Sequence, residues 1–221
     1  MLFVWYKVSF DEKWSHGSAV CETVYFFVEF VCVFPWKCVS LNNQNRGKIM
    51  DGILRKLPIG IQTFEKLREG DYLYVDKTAL VWRIASTETP YFLSRPRRFG
   101  KSLLLSTFEA YFEGKKELFE GLAIADMEKE WKTYPLFHLD LNAEKYDSPQ
   151  ALVEILSRQL TQWELKYGKG EDEETLSGRF AGVIRRACEQ SGRGVVVLVD
   201  EYDKPLLQAL GDDALLDDYR K

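Results

Sequence analysis

The stretch Tyr91-Phe92-Leu93-Ser94-Arg95-Pro96-Arg97-Arg98-Phe99-Gly100-Lys101-Ser102 constrains this chain more than any other. Its three leading apolar residues read as a buried strand, and a tight basic loop follows. Gly100-Lys101-Ser102 then opens a helix with Leu104, Leu105, Phe108 and Phe112 at helical spacing. Strand, loop and helix in that order form the setting of a phosphate-binding loop of pattern G-x-x-x-x-G-K-[ST]. There the backbone N–H groups wrap phosphate, the Lys reaches the outer phosphate oxygens and the hydroxyl holds magnesium. The helix N-terminus adds N–H donors and the positive end of a dipole. The first Gly of the pattern falls at position 95, where this chain has Arg95.

A second segment, Val195-Val196-Val197-Leu198-Val199-Asp200-Glu201, lies about 100 residues further on. Five apolar residues in a row, four of them β-branched, predict a strand buried on both faces, as in parallel sheets. It ends in two adjacent carboxylates, the form of a segment whose Asp supports magnesium and whose Glu orients water. Each element alone has a bland explanation. The Gly-Lys-Ser triplet recurs at helix starts, and paired acids at a strand end are often simply solvated. Both together, in this order and at strand tips, point to nucleotide binding.

A length of 221 residues suits one sizeable domain, or one domain with an appendage. The net charge of −4 disfavours a broad polyanion-binding surface, although a local basic patch fits it. Two His and no Cys-x-x-Cys or His-x-x-x-His spacing disfavour a zinc site.

Residues 1–49 stand apart. The apolar run 19–34 holds Glu22 and Glu29 and is short for a membrane helix, so no membrane association is expected. Three of the four Cys (Cys21, Cys32, Cys38) fall in this segment. One reading is a β-rich or membrane-contacting appendage. The other is an over-extended gene start. Arg46-Gly47-Lys48-Ile49 can be encoded by a purine-rich ribosome-binding tract just before Met50. Without residues 1–49 the chain keeps 25 basic and 30 acidic residues, a net charge of −5, and one Cys, a cytosolic pattern. The expected organisation is therefore residues 1–49 as an atypical segment, 50–89 as a helical and extended lead-in, and 90–221 as a partial nucleotide-binding domain.

Beyond Met50 the pattern is regular. Thr63 caps a helix over 64–69 that Gly70 closes, a helix over 79–85 follows, and Pro90 separates it from the phosphate-loop strand. A strand is predicted over 135–141, helices over 149–166 and 176–190, and helices over 206–210 and 214–219. The alternation gives an α/β fold with a mostly parallel sheet flanked by helices, its ligand edge at the strand tips. His138 reads as a core histidine, Asp140 as a strand-end turn, and Trp131 and Trp163 as helical packing residues.

Four segments, Leu57-Pro58-Ile59-Gly60-Ile61-Gln62-Thr63-Phe64, Tyr74-Val75-Asp76-Lys77-Thr78, the phosphate loop and Val199-Asp200-Glu201-Tyr202-Asp203-Lys204-Pro205, together resemble the bacterial AAA-ATPase-like family of P-loop ATPases. The resemblance runs from Met50 to the end of the chain, and Arg95 in place of the first Gly is usual in that family. It implies a cytoplasmic P-loop ATPase using ATP and Mg²⁺. Nucleotide contacts would come from Arg97, Arg98, Phe99, Gly100, Lys101, Ser102 and Leu103, with Ser102 and Asp200 on the metal and Lys101 and Glu201 in catalysis. Family members continue past residue 221, often into a nuclease-like domain, so the sheet is expected to be incomplete and hydrolysis by this fragment weak. In such ATPases a central strand between the phosphate-loop strand and the acidic strand comes later in sequence, and nothing after Asp203 reads as one. The macromolecular partner is open, nucleic acid included. A nucleotide-binding switch or scaffold with little turnover is the alternative function.

Overall fold

The computed structural model describes residues 2–8, 55–87, 90–94, 99–142 and 145–220. The expectations placed on Arg95, Arg97 and Arg98, on the run 19–34, on Cys21, Cys32 and Cys38, and on Met50 lie outside these described residues.

Four strands form one sheet in the order β2-β1-β4-β3: β1 (Leu2–Val8), β2 (Tyr91–Ser94), β3 (Leu136–Asp140) and β4 (Val195–Asp200). The helices are α1 (Phe64–Glu69), α2 (Thr78–Ala85), α3 (Lys101–Phe112), α4 (Ala123–Met127), α5 (Pro149–Tyr167), α6 (Leu176–Ser191), α7 (Lys204–Gln208) and α8 (Asp213–Arg220). β3 and β4 are parallel, with Asp140 opposite Asp200. β1 is antiparallel to both β2 and β4.

The α/β class is as expected, and so is a helix-flanked sheet in which most strands run the same way; only β1 opposes the rest. β2, β3 and β4 share one direction, and the position between β2 and β4 is held by an N-terminal strand running against them. The sequence leaves this position empty, because the strand expected to fill it comes after Asp203, where nothing reads as one; β1 fills it instead. Backbone N–H and C=O groups facing that position from both sides require a partner. Residues 2–8, rich in β-branched and aromatic types, supply one. Val4 pairs with Phe92 on one side and Val199 on the other.

Two apolar layers sandwich the sheet. Val196 and Leu198 of β4 pack with Phe64, Val81, Leu105, Phe108, Phe119 and Ile124, from α1 to α4 and the 3-10 turn Lys116–Phe119. Val195, Val197 and Val199 turn the other way, onto Leu160, Val183, Ile184 and Ala187 of α5 and α6. Every residue of β4 is buried, which bears out a strand covered on both faces. Phe137 of β3 belongs to the second layer and stacks on Trp163 with ring centroids 4.6 Å apart. Trp163 is therefore a packing residue as expected. Trp131 is not helical: it sits after α4 with φ of 45°, and packs against Tyr111 and Phe119 from that loop.

Two motifs acquire a structural reason. Phe64 N–H, at the start of α1, donates to Ser106 Oγ of α3 at 2.8 Å, so the tertiary contact replaces the expected Thr63 side-chain cap. Asp76 serves two helix starts at once. Its Oδ1 accepts from Thr78 N–H (2.8 Å) and Thr78 Oγ1 (2.7 Å), and its Oδ2 accepts from Ala123 N–H of α4 (2.7 Å). Thr78 Oγ1 in turn accepts from Ile124 N–H at 3.1 Å. Tyr74-Val75-Asp76-Lys77-Thr78 thus clamps α2 to α4 through orphan N–H groups. Asp76→Ala is expected to lower stability by about 1–2 kcal/mol, a figure kept small because Asp76 is exposed. Urea unfolding would read it as a lower midpoint at unchanged slope.

No helix among the described residues is long and apolar enough to cross a membrane.

Candidate functional site

The phosphate-loop helix begins where the sequence places it. Gly100 precedes Lys101 in a left-handed conformation (φ 74°, ψ 25°), which an L side chain adopts at a cost of about 1–2 kcal/mol. A Cβ built on Gly100 would meet no atom of the described residues within 4 Å. Phe99 beside it is 61% exposed. Lys101 is only 4% exposed, unusual for a lysine, and the half-buried Leu103 packs against the core.

Across the sheet rim the two distant segments meet. Ser102 Oγ donates to Asp200 Oδ2 at 3.2 Å, joining the first turn of α3 to the tip of β4 across 98 positions of sequence. Asp200 is 7% exposed. Burial pushes its carboxyl above the ordinary carboxylate range, helped by the Asp140 charge. The Ser102 hydrogen bond, the Glu201 N–H and the His138 charge pull the other way. Glu201 N–H donates to Asp200 Oδ1 at 3.0 Å, and Glu201 itself takes φ of 56°. A left-handed non-glycine residue at the end of a buried strand stores about 1–3 kcal/mol. Burial, then the Asp200 and Asp203 charges, push the Glu201 carboxyl up, against the opposing Lys101 ammonium.

The matches to known proteins bear on what this rim is. The model of a family described as predicted AAA-ATPase matches residues 58–221. The chain belongs to that AAA-ATPase-like family. A protein of Azotobacter chroococcum mcd 1, named as an uncharacterized protein in the vnfD 5′ region, is 44% identical over 157 residues. That match covers 71% of this chain and 30% of the relative, so the chain spans about a third of the relative's length. No solved structure matches the chain.

A family described as predicted AAA-ATPase suggests a nucleotide with Mg²⁺, and the donor set fits such a group. Adjacent oxygens around octahedral Mg²⁺ lie about 3 Å apart, given bonds of roughly 2.1 Å. The Ser102 and Asp200 oxygens are 3.2 Å apart. A cation shared by them would also offset the burial of the Asp200 charge. Asp140 Oδ1 instead accepts from Asn142 N–H at 2.8 Å, the strand-end turn expected of it. Lys204 Nζ donates to the Asn142 carbonyl and side-chain oxygen, tying the acidic loop to the β3 tip.

His138 departs from its reading as a plain core histidine. Its Nδ1 lies 2.6 Å from Glu109 Oε1 of α3. The sequence carries half of the signal: Ser102, Leu105 and Glu109 fall at i, i+3 and i+7, which puts a carboxylate in the sheet-facing stripe but does not name its partner.

Proposed function

We propose that this chain is the nucleotide-binding part of a magnesium-dependent P-loop ATPase, with the triphosphate before the N-terminus of α3 and the metal between Ser102 and Asp200. One observation carries the reading: the Ser102–Asp200 hydrogen bond, which joins a phosphate-loop hydroxyl to a buried strand-tip carboxylate. Lys101 neutralises the outer phosphates, and the backbone N–H groups at the start of α3 receive their oxygens. Asp200 and Ser102 would hold the cation, which would supply positive charge against the transferring phosphoryl group. Glu201, next to Asp200 at the strand tip, takes the proton of the attacking water. The alternation of β2, α3 and β4 around this rim supports a P-loop architecture. The reading extends to a cytoplasmic protein whose turnover performs conformational work on a macromolecular partner.

The test is binding of a fluorescent ATP analogue, with Mg²⁺ and with EDTA. Lys101→Met is expected to weaken binding about tenfold to a hundredfold, the loss of one or two charge-assisted hydrogen bonds. Asp200→Ala should erase the gain that Mg²⁺ gives while leaving metal-free binding in place. Wild-type affinity in both variants, or no binding by the wild type, overturns the reading. Binding with no phosphate release by the wild type leaves a nucleotide-operated switch.

A further inference from the structure

The layer between α3 and the sheet is apolar except along one strip. Alternation puts Leu136, His138 and Asp140 of β3 on the α3 side of the sheet, and Leu136 packs into that layer. Asp200 of β4 faces the same way, since it reaches Ser102. Asp140 is directly opposite Asp200, and His138 is opposite Leu198, one pleat below. Glu109 contacts the imidazole directly, and the Asp140 and Asp200 charges act on it from the strand tips. Glu109 holds the ring at Nδ1, at 2.6 Å, while Nε2 is buried with no hydrogen-bond partner among the described residues. Gln159 Nε2 of α5 donates to the His138 carbonyl at 3.2 Å and fixes the strand from the far side.

A charged ring in this place bonds Glu109 directly and adds its charge to the donors that Asp140 and Asp200 already have. Burial alone lowers the His138 pKa, but the Glu109 hydrogen bond and the Glu109, Asp140 and Asp200 charges outweigh it and hold the pKa above the ordinary value. A stability role alone, clamping α3 to β3, would need only the Glu109 contact.

We propose that His138, oriented by Glu109, is a built-in counter-cation for the strand-tip carboxylates Asp140 and Asp200, a positioning residue that sets how strongly the site discriminates metal-bound from metal-free nucleotide. The inference rests on the nucleotide reading above. A fixed positive charge one pleat below Asp200 attracts the free triphosphate and opposes Mg²⁺. Its removal shifts the two affinities in opposite directions. A structural defect shifts both the same way.

The experiment measures the affinity of the fluorescent ATP analogue in EDTA and in saturating Mg²⁺, for wild type, His138→Gln and His138→Lys, with thermal unfolding alongside. In His138→Gln the ratio of the two affinities should widen about threefold to tenfold, with weaker metal-free and tighter metal-bound binding. His138→Lys, which restores the charge, should return the ratio towards wild type even where its melting temperature is lower. An unchanged ratio in His138→Gln, or a parallel loss of both affinities, overturns the inference. If Asp200→Ala binds Mg–nucleotide as wild type does, the nucleotide reading itself fails. If Asp200→Ala loses the Mg²⁺ gain and His138→Gln keeps the wild-type ratio, only this inference fails.

Discussion

Glu201→Gln is expected to lower ATP turnover by about a hundredfold to ten-thousandfold, the usual contribution of a positioned general base, with Mg–nucleotide affinity within about twofold of wild type. The amide keeps the shape of the side chain and its hydrogen-bonding reach. It cannot accept a proton from water. Because Glu201 N–H, rather than its carboxyl, supports Asp200, that contact survives the substitution. The same site gives a pH signature with a definite sign. Burial and the Asp200 and Asp203 carboxylates push the Glu201 carboxyl above its ordinary 4.5, so the ionised base is lost as pH falls through that raised value. Wild-type turnover should therefore fall on the acidic side at a pH above the ordinary carboxylate range, and the residual rate of Glu201→Gln should lack that limb. Phosphate release against pH for the two proteins measures both. Equal turnover in the variant would remove Glu201 from the chemistry and leave the rim as a binding site.

The parts of this fold that could be read from the sequence are those in which one segment carries its own instruction. Val195 to Val199 could only be a strand buried on both faces, and both apolar layers meet on it. Gly100-Lys101-Ser102 after an apolar triplet placed the start of α3 to the residue. The misses are tertiary. Nothing local marks residues 2–8 for the centre of a sheet, because that position is defined by open backbone groups of β2 and β4, more than 80 positions away. Asp76 shows no role until α4 is brought against it, and the segment that becomes α4 is five residues long, below the length at which periodicity speaks. His138 and Glu109, 29 positions apart, identify each other only once β3 lies beside α3.

Arg179→Ala is expected to lower stability by about 3 kcal/mol, the largest single effect on the fold, and the melting temperature by roughly 6–12 °C for a chain of this size. Arg179 lies on α6 with its side chain 11% exposed, against Glu164 of α5 at 6%. Its guanidinium donates to both Glu164 oxygens (2.7 and 2.8 Å), to Ser157 Oγ (2.7 Å), to the Ser157 carbonyl (3.3 Å) and to Thr161 Oγ1 (2.9 Å). Truncation leaves a buried carboxylate with no cation, which costs far more than the pair itself contributes. The Arg179 hydrogen bond, working against burial, holds the Glu164 carboxyl below its ordinary 4.5. Arg186 does the same for Glu173. A lowered folded-state value means stability fully present above about 4.5 and lost as pH falls through the lowered value. The melting gap between wild type and Arg179→Ala should accordingly be widest near neutrality and close in acid, where Glu164 is protonated in both. The double substitution Glu164→Leu with Arg179→Leu removes charge and partner together, and should recover most of the lost stability. A gap that ignores pH, or a double variant no better than Arg179→Ala, would mean that the packing of the Arg179 stem, rather than its charge, joins α5 to α6.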